Sequence, residues 1–184
     1  HDSLLPLHRE LQYPRLTHSF IDVGSGCGFP GMALAIAMPN SNITLLDSSR
    51  KKTTFLLEVS RELRLDSRIT VINARAESVG KETNFRGKFD YSIARAVAPA
   101  SVVAEYLIPF LNSTGQALIY KGVWSQIEHE RLKKALTELN AEITHTHNFA
   151  LPDGRGVRNI IRISTTKKCP IQYPRAIGKP KKNR

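Results

Sequence analysis

The sequence predicts one α/β domain: a seven-stranded, mostly parallel sheet with one antiparallel strand and helices on both faces. Three observations carry that expectation. Short apolar runs alternate with amphipathic segments along most of the chain, the pattern of βαβ units. The last two apolar runs are separated only by a turn, so they form a hairpin and bring one strand in antiparallel. The 184 residues, 41% hydrophobic and 23% charged, suit a single domain with a sizeable core.

Taken in order, residues 18–24 are a short apolar run closed by glycine and read as a buried strand. Residues 31–38 form a helix that Pro39-Asn40 ends, and Asn42–Asp47 is the second strand. Across residues 49–65, Phe55, Leu56, Val59 and Leu63 recur at helical spacing with Arg and Lys opposite, and Ser48 or Ser49 is placed to cap the helix. Residues 69–74 are the third strand, followed by a loop at Ala76-Glu77 and a polar turn over 84–88. Residues 89–94 are the fourth strand, and 99–111 a helix with Pro99 in its first turn. Residues 116–121 are the fifth strand and 125–139 a charged amphipathic helix. Residues 142–149 and 158–164 make the closing hairpin around Leu151-Pro152-Asp153-Gly154.

No stretch approaches the ~18 apolar residues of a membrane span, and no basic-apolar-small leader opens the sequence, which starts at His1. Cys27 and Cys169 form no CxxC pair and have no metal-ligand neighbours, so neither a disulfide framework nor a metal is expected, and a reducing cytoplasm fits. The net charge of +11 is unevenly placed. Residues 1–150 hold 17 Lys/Arg against 15 Asp/Glu, whereas residues 151–184 hold 10 against Asp153 alone. Such a basic end attracts phosphate backbones by counterion release or simply keeps the chain soluble; composition alone leaves both open.

The strongest chemical signal is Phe20-Ile21-Asp22-Val23-Gly24-Ser25-Gly26-Cys27-Gly28-Phe29-Pro30-Gly31, a strand running into a turn with four glycines and then a helix. Glycines let backbone approach a ligand, and the helix start adds unpaired N–H donors. A dinucleotide turn needs G-x-G-x-x-G, but from Gly24 the last glycine falls on Phe29, and Pro30 stiffens the turn. The ligand expected is therefore nucleoside-like without a pyrophosphate. Asp47, at the end of the second strand, can accept from both hydroxyls of a ribose, or merely cap the next helix. Ala76 and Glu77 follow the third strand where backbone groups could read a base edge; the plainer alternative is a solvated loop. Arg95 follows the fourth strand and Lys121 the fifth, together a basic lip suited to RNA, though each alone is an ordinary surface charge. The Asp/Asn-Pro-Pro-aromatic element that orients an exocyclic amine for methylation is absent there, as is a cysteine placed to attack a pyrimidine.

Asp22-Val23-Gly24-Ser25-Gly26-Cys27-Gly28-Phe29-Pro30-Gly31, Leu45-Leu46-Asp47-Ser48 with Arg50-Lys51-Lys52, Arg75-Ala76-Glu77, Ala94-Arg95-Ala96 and Lys121-Gly122 together resemble the RsmG (GidB) family over roughly the whole chain. The resemblance implies a Rossmann-like class I methyltransferase of bacteria or plastids. It would use S-adenosylmethionine to methylate N7 of a guanosine, at position 527, in 16S ribosomal RNA, as naked RNA or within the small subunit. It also implies cofactor contacts at Gly24, Phe29, Ala76, Glu77 and Arg95, to which Gly26 and Asp47 are added from the residues themselves; Arg95 and Lys121 are the candidate substrate contacts. Residues 1–17 resemble the end of the family's N-terminal helical segment, 18–164 the methyltransferase domain, and 165–184 a basic tail. Guanine N7 carries a lone pair and no proton, so no general base and no catalytic side chain is expected, and a monomer without membrane or metal suffices. The competing expectations are methylation of another RNA, a protein or a small molecule, and a non-catalytic RNA-binding module.

Overall fold

The structure, a computed structural model, describes residues 3, 4, 7, 17–95, 97–151 and 156–182. Its elements in chain order are β1 (Ser19–Val23), α1 (Gly31–Ala37), β2 (Asn42–Asp47), α2 (Arg50–Glu62), β3 (Ile69–Asn73), α3 (Ala76–Val79), β4 (Phe89–Arg95), α4 (Ala100–Leu107), a 3-10 turn (Ile108–Phe110), β5 (Leu111–Lys121), α5 (Gln126–Glu138), β6 (Ala141–Ala150), β7 (Val157–Thr165) and α6 (Lys179–Lys182). Most of residues 1–17, and the expected turn from Pro152 to Gly154, lie outside the described residues.

The strands form one seven-stranded sheet in the order β3-β2-β1-β4-β5-β7-β6. All neighbours from β3 to β5 pair parallel, and β7 pairs antiparallel with both β5 and β6. The chain winds outward from β1 to β3, then crosses back to place β4 on the other side of β1. That reversal is the topological switch point where open α/β sheets bind ligands at the carboxyl ends of the strands.

Alternation along each strand explains why both faces of the sheet are covered. Successive side chains point to opposite faces. Phe20, Leu45, Leu118 and Ile160 therefore join one core with Met32, Leu34 and Ala35 of α1 and Leu56 of α2. Their neighbours Ile21, Leu46, Ile119 and Ile161 join the other, with Val103 and Leu107 of α4 and Leu132 and Leu136 of α5. A continuous apolar run is what a doubly covered strand requires.

Three local departures from the sequence reading have physical causes. The expected helix over 99–111 ends at Leu107, because Pro109 has no N–H to continue the ladder, and a 3-10 turn takes over. β5 starts at Leu111 rather than at Gln116, because residues 112–115 form an excursion between the Phe89–Leu111 and Tyr91–Gln116 pairings; the Asn112 side chain accepts from the N–H of Thr114, so this stretch reads locally as a turn. In α2 the inward row is Thr53, Leu56 and Ser60, while Phe55 and Leu63 are exposed. Ser49 holds the N-cap position without a side-chain bond; the Oδ1 of Asp47 accepts the Ser49 N–H instead, at 2.8 Å.

Beyond β7 the chain docks as a strap. The Arg86 guanidinium donates to the carbonyls of Gly80, Cys169, Pro170 and Tyr173 at 2.9, 3.0, 3.0 and 2.6 Å. Arg175 forks onto the carboxylate of Glu105, which is fully buried, at 2.9–3.2 Å, and its N–H reaches the same group at 2.8 Å. The N–H of Gly178 donates to Oε1 of Glu77 at 3.2 Å.

Candidate functional site

A cleft of about 280 Å³ opens at the carboxyl ends of β1 to β4. Its walls follow from the topology. β1 delivers Val23 and Gly24, β2 delivers Leu46 and Asp47, the exit of β3 delivers Ala74 to Glu77, and β4 delivers Arg95. Of the residues singled out in the sequence, Gly24, Asp47, Ala76, Glu77 and Arg95 line it; Gly26, Phe29 and Lys121 do not. Lys52, Arg75, Val97 and Tyr106 also line it and had no spacing signal to reveal them.

The glycine turn is built for close packing within the protein. Gly24 has φ +74°, and a Cβ there would sit 2.7 Å from the side chain of Val97. At Gly31 a Cβ would fall 2.4 Å from Leu45 and 2.8 Å from the Asp22 carboxylate. That space lets Oδ2 of Asp22 accept the Gly31 N–H at 2.8 Å. Oδ1 of Asp22 has no partner among the described residues. Full burial pushes the Asp22 carboxyl up to about 7, against the opposing pull of the Gly31 N–H and of Arg95.

Asp47 ties the turn to β2. Its Oδ2 accepts the Gly26 N–H at 3.0 Å, and Lys52 stands 3.7 Å away. Gly26 thus acts at one remove from the cleft, through Asp47. A carboxylate has about four lone-pair sites, so Asp47 keeps acceptor capacity toward the cleft. Glu77 is not a solvated loop residue. It is buried in α3, a four-residue helix that lacks room for an apolar period, and holds the strap through the Gly178 N–H. Tyr106 donates its hydroxyl to the same carboxylate; burial, then the charges of Glu77 and Glu105, push the Tyr106 phenol up to about 12.

Arg95 and Phe29 meet at the mouth. Phe29 is 47% exposed, and the Arg95 guanidinium lies over its ring at 5.7 Å from the centroid, a cation–π contact. Lys121 is held at 2.6 Å by Glu128, which also accepts the Ala100 N–H at 3.2 Å. Its charge is committed to joining β5, α4 and α5. Among the described residues no group of three His, Cys, Asp or Glu could hold a metal, and no helix is long and apolar enough to cross a membrane.

Comparison with known proteins agrees with this fold. The family model for GidB, rRNA small subunit methyltransferase G, matches residues 2–159. Ribosomal RNA small subunit methyltransferase G of Prochlorococcus marinus strain NATL2A is 71% identical over 181 residues, 98% of this chain and 73% of that protein. The protein of the same name from Parasynechococcus marenigrum strain WH8102 is 48% identical over 179 residues, 97% of this chain and 72% of that one. Among solved structures, M. capricolum TrmK in complex with S-adenosyl-homocysteine superposes with a TM-score of 0.64 at 15% identity, over 86% of this chain and 68% of that one. Magnesium protoporphyrin IX methyltransferase from Synechocystis PCC 6803 does so with a TM-score of 0.65 at 15% identity, over 89% and 80%. At that identity the two structures speak for the fold, a Rossmann-like methyltransferase sheet.

Proposed function

The chain belongs to the rRNA small subunit methyltransferase G family, and from that premise we propose that it methylates N7 of a guanosine in 16S ribosomal RNA, the guanosine 527 position, using S-adenosylmethionine. The observation that carries the N7 assignment is the state of the acids in the cleft. Asp47 is held by two backbone N–H groups and Glu77 by an N–H and a phenol, and no His or Cys is among the described lining residues. Both acids are engaged by donors within the protein, and neither stands as a free base. Guanine N7 has no proton to give, since its lone pair is already free to attack.

The residues fit the cofactor by their donor set. Asp47 and Glu77 offer acceptors for hydroxyl and amine hydrogens, and the unmet oxygen of Asp22, beneath the glycine turn, belongs to a carboxyl that a cation at this end would draw into its charged form. Gly24, Gly26, Phe29, Asp47, Ala76, Glu77 and Arg95 are thus assigned to the cofactor side, Gly26 by holding Asp47 and Phe29 from the mouth. When bound, S-adenosylmethionine supplies an electrophilic sulfonium methyl. The chain's own part is positional. Val97 and Tyr106 close the wall against water, the Asp47–Gly26 bond fixes the turn, and Arg95 offers its charge at the mouth where RNA enters. The Lys121–Glu128 pair braces the elements behind that mouth, so a direct substrate contact is assigned to Arg95 in preference to Lys121.

The test is a map of methylated positions in ribosomal RNA from cells with and without the gene. Loss of one N7-methylguanosine from 16S RNA is expected, and an unchanged profile overturns the assignment. Calorimetry tests the cofactor separately; no heat of S-adenosylmethionine binding would leave only an RNA-binding module.

A further inference from the structure

A second groove, of about 600 Å³ against about 280 Å³ for the cleft, lies at the opposite end of the sheet, where β4 and β5 begin and β7 ends. Three separate stretches of chain line it, residues 81–88, 109–113 and 165–171, and the first and last supply its lysines. Lys81 follows α3, Lys88 precedes β4, and Lys167 and Lys168 follow β7. The Arg86 clasp on the strap carbonyls fixes a fifth cation in the wall and holds these stretches in place. Among the described residues, no Asp or Glu lines the groove.

The four lysines differ from Lys52 in the cleft and from Lys121 behind its mouth. Lys52 faces Asp47 and Lys121 faces Glu128, whereas Lys81, Lys88, Lys167 and Lys168 are all exposed and meet no carboxylate among the described residues. Bringing like charges together from distant parts of the chain raises the free energy of the empty protein, and a polyanion relieves it. The groove also offers the hydroxyls of Thr83, Ser113 and Thr166, of the kind that donate to phosphate oxygens. Its described lining holds no aromatic ring for stacking bases, so it reads backbone and not sequence.

We propose that this groove is a second RNA-docking site, which takes the sugar-phosphate backbone of the ribosomal substrate at a segment other than the one that presents the target base. This rests on the rRNA reading above. The seven residues of β4 separate groove from cleft by roughly 20 Å at ~3.3 Å per residue. A folded ribosomal RNA presents several backbone segments over such a distance, and two contacts that far apart fix its orientation as one cannot.

The experiment compares charge reversals in the full chain: Lys167→Glu with Lys168→Glu, Lys81→Glu with Lys88→Glu, and as control Lys133→Glu with Lys134→Glu on the exposed face of α5. Binding to a 16S RNA fragment is followed by anisotropy over a salt series, alongside methylation kinetics and S-adenosylmethionine affinity. Each groove pair should weaken RNA binding on the order of tenfold and lower the slope of log K against log salt by roughly 1 to 2, as expected for one or two lost phosphate contacts. KM for RNA should rise in step, while kcat and cofactor affinity stay at wild-type values. The control should move RNA binding less than twofold. Equal effects from groove and control pairs, or none from either, overturn the proposal, as does binding of anionic phosphatidylserine vesicles in place of RNA. Lys→Gln versions of the same pairs guard against a folding artefact. If the wild-type chain binds the RNA but transfers no methyl, the proposed reaction fails while the binding series still decides the groove.

Discussion

The two ends of the sheet treat charge in opposite ways. At the carboxyl end, the acids are buried and bonded: Asp22 under the glycine turn, Asp47 on two backbone N–H groups, Glu77 between strap and phenol. At the amino end, four lysines stand in solvent without carboxylate partners around a wider groove. Buried, bonded charge sets geometry, and its loss is felt as stability. Exposed charge contributes little to stability and much to long-range attraction of a polyanion. One end positions atoms, and the other gathers substrate.

Four measurements put that contrast at risk. The largest effect is expected at Gly31→Ala, where the new Cβ has to displace Leu45 and the Asp22 carboxylate; about 3 kcal/mol of stability should be lost in urea unfolding. A loss below about 0.5 kcal/mol would mean that the turn can relax and that its glycine is there for the ligand alone. Next, Glu77→Ala strands the Gly178 N–H and the Tyr106 hydroxyl and should cost about 2 kcal/mol, with weaker cofactor binding by calorimetry; Glu77→Gln, which keeps an acceptor, should cost less.

Third comes pH. The folded-state Asp22 carboxyl, at about 7, lies above its ordinary value of 3.8, so between those values the folded chain holds a proton that the unfolded chain releases. Stability without cofactor should therefore fall as pH rises from about 4 through 7, then level off. Asp22→Asn should flatten that slope in thermal melts while weakening cofactor binding, and an unaltered slope would place the buried proton elsewhere. The smallest effect is expected from Lys81→Gln with Lys88→Gln, within about 0.5 kcal/mol of wild type in unfolding. A larger loss would show that the groove lysines are structural after all.

The sequence made the sheet legible because each strand is an apolar run between turn signals, and the cleft legible because Gly24, Asp47, Ala76, Glu77 and Arg95 all stand at or shortly after strand ends. What escaped was set by contacts between residues far apart in the chain. The strap looked like a basic tail because composition records Lys167, Lys168 and Arg175 without recording that Glu105 receives Arg175 and that Arg86 holds the carbonyls of Cys169, Pro170 and Tyr173. Lys121 read as a free cation because Glu128, seven positions on, comes round to it only once α5 has folded. Tyr106 carried no signal, since a tyrosine inside an apolar helix looks like core until Glu77 is placed against it.

The clasp made by Arg86 also has a genetic consequence. A premature stop just after Thr165 would delete no described residue that lines the cleft, yet it would remove every carbonyl the Arg86 guanidinium holds except that of Gly80, and with them the Arg175 and Gly178 donors to Glu105 and Glu77. Late nonsense and frameshift alleles of this gene should then behave as nulls, and a selection for loss of function would recover them alongside lesions in the glycine turn.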